Sequence, residues 1–79
     1  MKRIDLKLIQ PYFSQVKHRF KPFEVRKNDR DYEVGDTLVL HEWIPEEEKY
    51  AGDWFEREVI YVFDNPDYVK EGFVILGIE

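Results

Sequence analysis

The sequence predicts a small α+β domain made mainly of β structure, with five strands and one short helix. Three observations carry this. Apolar and polar residues alternate with period two in several short runs. A helical apolar stripe occurs once, between Pro11 and Pro22. The 79 residues are 43% hydrophobic and 16% aromatic, too apolar for a disordered chain even at 37% charge. That length allows one domain, residues 1–79, and excludes two.

Ile4, Leu6 and Leu8 alternate with Arg3, Asp5 and Lys7, which predicts a half-buried strand. Pro11 suits a first helical turn. Tyr12, Phe13, Val16 and Phe20 form a helical stripe, and the helix runs to about Arg19. Pro22 ends it, because the residue before a proline is pushed away from helix. Phe23, Val25 and Lys27 alternate with Glu24 and Arg26 in a short strand with a charged face. Residues 27–31 form a polar turn, and Val34-Gly35-Asp36 a second one, where Gly35 supplies positive φ.

Thr37–Trp43 is rich in β formers. Pro45–Asp53 reads as a loop, either a long hairpin tip or a short helix. Glu56–Phe63 is apolar on both faces, so it is expected at the centre of the sheet. Asp64-Asn65-Pro66-Asp67 is a turn, and Phe73–Ile78 a last strand entered through Gly72. The order β-α-β-β-β-β suits a small mixed sheet that closes into a barrel, with the helix plugging one end. Closure would remove unpaired strand edges.

Cysteine is absent, so disulfides, thiolate zinc sites and cysteine nucleophiles are excluded. With two histidines, His18 and His41, no metal site and no cofactor is expected. No apolar run approaches the ~18 residues of a membrane span. Met1-Lys2-Arg3-Ile4-Asp5 lacks an apolar stretch behind its charges, so no signal peptide and no membrane partner is expected, and the expected compartment is the cytoplasm.

The net charge of −5 hides an asymmetry. Residues 1–30 hold nine basic and three acidic groups, whereas residues 31–79 hold three basic and fourteen acidic. The densest basic stretch is Lys17, Arg19, Lys21, Arg26, Lys27 and Arg30, where a polyanion would approach. The alternative is that folding mixes the two halves and the charges pair.

The stretch Arg19-Phe20-Lys21-Pro22-Phe23-Glu24-Val25-Arg26 resembles the ASCH (activating signal cointegrator homology) signature Gly-x-Lys-x-x-Glu-x-Arg. Lys21, Glu24 and Arg26 match it, and Arg19 stands where Gly is usual. The run from Lys27 to Tyr32, the segment Val34-Gly35-Asp36-Thr37-Leu38 and the ending Glu71–Ile78 resemble a compact bacterial and phage ASCH subgroup. The resemblance covers nearly the whole chain. It implies a PUA-like fold, a small β-barrel with a helix beside a cleft, and a general expectation of RNA binding. A related subgroup hydrolyses acetylated cytidine through a lysine, a threonine and a later glutamate, and another relative is a ribonuclease. Here Glu24 replaces the threonine, and Glu56, Glu58 and Glu71 are open for the later glutamate.

On a strand, Glu24 and Arg26 point to one face. Glu accepts from an exocyclic amine and Arg forks onto phosphate or a base edge; the alternative is an internal ion pair fixing a cleft wall. Lys21 is a phosphate contact, or a nucleophile if desolvated beside Arg26; the alternative is a solvated lysine at the helix end, favourable to the helix dipole. Lys27 and Arg30 are phosphate candidates, unless they pair with Asp29, Asp31 or Glu33. Tyr12, Trp43 and Trp54 are either stacking groups for an unpaired base or core, Trp54 being the most exposed by expectation. The histidines are expected to be structural, and Glu46-Glu47-Glu48 a solvated loop. The favoured expectation is an RNA- or nucleotide-binding domain with its cleft at Lys21, Glu24 and Arg26, flanked by Lys27 and Arg30. The alternatives are a small amidohydrolase acting on a modified nucleoside, with Lys21 and Glu24 as catalytic candidates, and an interaction domain without an active site.

Overall fold

The N-terminal alternation forms the expected strand. A computed structural model describes residues 1–79, and in it β1 spans Arg3–Leu8, with Ile4, Leu6 and Leu8 buried and the charged residues between them exposed. Helix α1 spans Tyr12–Lys17, β2 Phe23–Lys27, β3 Thr37–Ile44, β4 Lys49–Phe63 and β5 Phe73–Ile78. The order is the expected one. No helix is long and apolar enough to cross a membrane.

Helix α1 buries Phe13 and Val16 but is shorter than the stripe suggests. Tyr12 is half-exposed, and Phe20 lies beyond the helix in solvent. The helix stops because Arg19 adopts a left-handed φ of 66°. The Arg19 amide then donates to the Val16 carbonyl at 3.0 Å and the Phe20 amide to the Gln15 carbonyl at 2.8 Å. These are the two bonds of a Schellman turn, which ordinarily takes glycine at this place.

The strands form one mixed sheet in the order β1-β3-β4-β5-β2. The β1–β3 pair is parallel and the rest are antiparallel. Strand β4 is central, as its apolar sequence predicts, and joins two half-sheets: residues up to Glu58 pair with β3, and those from Val59 pair with β5. It also begins at Lys49, inside the segment read as a loop. Residues 49–54 are all exposed, so no alternation of buried and exposed positions marks the run as strand. The hairpin is held instead by side chains across it: the Trp43 and Tyr50 rings lie 5.0 Å apart, and Lys7 Nζ sits 3.9 Å over Trp43. A bulge absorbs Gly52 at φ 102°.

The expected closure into a barrel does not occur, because edge strands β1 and β2 form no ladder. They nevertheless approach each other. The Arg26 guanidinium on β2 donates through Nη2 to the Lys7 carbonyl on β1 at 2.9 Å. A side chain thus takes a carbonyl that a ladder amide would otherwise use, and the seam stays open. Under it lies the core, in which Phe13 and Val16 of α1 meet Leu6, Leu8, Leu38, Leu40, Val59, Val74 and Leu76.

Candidate functional site

A charged face on a sheet ordinarily meets water and the apolar face meets the core. Strand β2 reverses this. Phe23 and Val25 are 41% and 50% exposed, whereas Glu24 is 2% exposed. Glu24 and Asp36 are the two buried charged residues of the chain. Ionised carboxylates are rarely buried without compensation. Each Glu24 oxygen has its own cation: Lys21 Nζ reaches Oε1 at 2.9 Å and Arg26 Nε reaches Oε2 at 3.0 Å. Lys21 and Arg26 are themselves 18% and 19% exposed at their side chains.

Local structure positions this triad. The Schellman turn carries the chain back on itself, and the Lys21 amide donates to the Gln15 carbonyl at 3.0 Å. The Lys21 ammonium also donates to the Phe23 carbonyl at 3.0 Å. Arg26, two residues from Glu24, spans the seam to Lys7. The internal ion pair is therefore present, and it forms the wall of a cleft. One ammonium proton of Lys21 and the Nη1 group of Arg26 make no bond within the chain.

Two chambers flank Arg26, which lines both together with Lys7. The first, of about 380 Å³, is half apolar: Leu8, Ile9, Tyr12 and Val25 face Lys7, Lys21, Glu24 and Arg26. The second, of about 440 Å³, is polar and includes Lys27, Arg30, Asp5, Asp29, Tyr32 and Tyr50. Together they hold five cations against three carboxylates, a local excess of positive charge on an acidic protein. Neither Lys27 nor Arg30 forms an ion pair with Asp29, Asp31 or Glu33. Burial pushes the Tyr32 phenol above its ordinary value, and the nearby Arg26 charge only partly offsets this.

All five sequence-predicted residues, Lys21, Glu24, Arg26, Lys27 and Arg30, thus line one seam. The first chamber also contains Tyr12. Trp43 and Trp54 lie outside both chambers, Trp54 being half-exposed on the β3–β4 hairpin. None of Glu56, Glu58 and Glu71 lines either chamber, and Glu56 pairs with Arg3. His41 bonds Asp5 at 2.8 Å. Sequence reasoning missed Lys7, which looked like one more solvated residue of an alternating strand. Only the approach of β1 to β2 gives it a role.

The family model described as a domain of unknown function (DUF3850) matches residues 4–78. An uncharacterised 12.9 kDa protein of Escherichia phage P2, in the GpA 3′ region, is 40% identical over 72 residues, 91% of this chain. The chain spans 63% of that relative's length. The chain belongs to the DUF3850 family.

Proposed function

We propose that this DUF3850 chain is a nucleotide- or RNA-binding module of the PUA-like, ASCH type, with its ligand in the open β1–β2 seam. The observation that carries the reading is the buried Lys21–Glu24–Arg26 triad, whose spare donors face a half-apolar chamber beside a polar, cationic one. Ligand sites are commonly apolar hollows of about 300–1,000 Å³ with a few placed polar groups. A base fits the first chamber, against Tyr12 and Ile9. Its phosphate fits the second, at Lys27 and Arg30, where unpaired cations stand ready. The left-handed φ of Arg19 supports the resemblance, since the ASCH signature has glycine there.

Binding is favoured over hydrolysis on two grounds. The Lys21 ammonium donates hydrogen bonds to the Phe23 carbonyl and to Glu24, which holds it as a positioned cation rather than a free nucleophile. The later glutamates lie outside the cleft, and Glu24 is held by two cations.

Calorimetric titration with nucleoside monophosphates and short single-stranded RNA at low salt tests the reading. The Lys27→Ala/Arg30→Ala variant serves as control, because both residues are exposed and unpaired and their loss leaves the core intact. Salt-sensitive binding weakened in the variant is expected. Absence of binding by folded wild-type protein, or equal binding by the variant, would overturn the assignment.

A further inference from the structure

A third hollow, of about 270 Å³, lies on the far side of Lys21 and is lined by Val16, Arg19, Lys21, Pro22, Arg57 and Ile60, with Ile78 and Glu79. Lys21 is the wall it shares with the first chamber. Its two arginines have no acidic partner within ion-pair distance. Arg57 donates only to the backbone carbonyls of Glu56, Val16 and Lys17. Burial holds its guanidinium below the ordinary arginine value, and the Arg19 charge adds to this. The hollow holds three cations, Arg19, Lys21 and Arg57, against one acidic residue, Glu79, which forms no ion pair with any of them, so it is a local positive site on an acidic protein and suits an anion.

Neighbouring hollows share cations. Lys7 and Arg26 are common to the second and first, and Lys21 is common to the first and third. Apolar and aromatic walls alternate with these cations along the line: Tyr32 and Tyr50, then Ile9 and Tyr12, then Val16 and Ile60. A ligand that alternates negative groups with apolar ones matches that order, and a bare polyphosphate does not.

We infer that the seam continues past Lys21 into a third subsite at Arg19 and Arg57, so that the ligand is a single strand read over about two nucleotides rather than a mononucleotide. This rests on the proposed nucleotide reading of the seam and extends it. The binding is electrostatic at each phosphate, with apolar contact from Val16 and Ile60 in the third subsite.

Arg19→Gly isolates the third subsite. It removes the charge at a position whose φ of 66° glycine adopts without strain, so the variant stays folded. Ribonucleotides one to four residues long, and their deoxy counterparts, are titrated over a range of salt. Affinity rises from one to two nucleotides and then levels. The slope of log K on log salt steepens by about 0.7 for each added phosphate. Arg19→Gly weakens dinucleotide binding about fivefold and removes one such increment, while monophosphate binding is unchanged. A ribose preference assigns the ligand as RNA, and a deoxyribose preference as DNA. A dinucleotide bound no more tightly than a monophosphate, or bound equally by Arg19→Gly, overturns the third subsite and leaves the two-chamber cleft standing. Tripolyphosphate bound as tightly as the dinucleotide overturns the nucleic-acid assignment. No binding at any length overturns the nucleotide reading itself.

Discussion

At Glu24 the sequence makes an unusual commitment: a carboxylate 2% exposed, with lysine and arginine turned inward to meet it. A buried ion pair is weak evidence of stabilisation, because desolvation offsets much of the attraction. Removing one member is a different matter, since the others are left uncompensated. Glu24→Ala is expected to cost about 3 kcal/mol in urea unfolding, and Glu24→Gln distinctly less, because the amide still accepts a hydrogen bond. A loss below about 1 kcal/mol in Glu24→Ala would mean that the cations are adequately solvated without it.

Asp36, the other buried acid, has a structural role. It accepts from the Lys2 amide at 2.9 Å and the Glu33 amide at 2.8 Å, and pairs with the Lys2 ammonium. Burial alone would raise its pKa, but the two amides and Lys2 outweigh burial and hold it below the ordinary 3.8. A depressed folded pKa contributes stability above the ordinary value, and that contribution is lost as pH falls through the folded one. Stability should therefore fall below about pH 4 in wild type, and Asp36→Asn should be less stable at neutral pH with a flatter acid limb. Equal acid limbs in the two proteins would contradict this.

Among the elements, α1 ends on a left-handed arginine, and that is a local liability. A non-glycine residue in this region costs about 1–2 kcal/mol, and glycine gives part of that back in unfolded-state entropy. Arg19→Gly should stabilise the fold by about 0.5–1 kcal/mol, read as a rise of roughly 4 °C in the thermal midpoint. An unchanged or lowered midpoint would show that the Arg19 side chain contributes more to the fold than its backbone costs. Gly77 is the opposite case. It faces the bulge at Ile60 and Tyr61, where a methyl would come within 3.1 Å of the Tyr61 Cβ. Gly77→Ala should force β4 and β5 apart and cost about 1–3 kcal/mol by chemical denaturation.

The elements that periodicity could mark were legible: β1 from its alternation, α1 between two prolines although it ends at Lys17 rather than near Arg19, and the turn at Gly35 and Asp36 from residue type. The start of β4 was not. Residues 49–54 are exposed, Tyr50 and Trp54 included, and their pairing with β3 is fixed by aromatic contacts across the hairpin rather than by burial. The inversion of β2 was also hidden. A strand with alternating apolar and charged residues does not reveal which set faces inward, and here ion pairing overrode the usual choice.

For the whole molecule, the sheet curls far enough that its edge strands meet through a side chain, but not far enough to pair. That gap is what separates an opened sheet from a sealed barrel, and it gathers cations from residues 7 to 30 along one line while most of the acidic half lies elsewhere. The charge asymmetry was legible from the sequence. The seam that gives it a shape was not, because Lys7 and Arg26 are nineteen positions apart and no pattern links them.

The most direct test of the seam as the binding site is a titration of the isotopically labelled protein with a nucleoside monophosphate, followed by amide chemical shifts. Binding in the seam predicts the largest shifts at residues 7–9, 21–27 and 30, with the outer face of β4 around Tyr61 and Phe63 unchanged. Shifts confined to that outer face, or none at saturating ligand, would contradict the seam as the site.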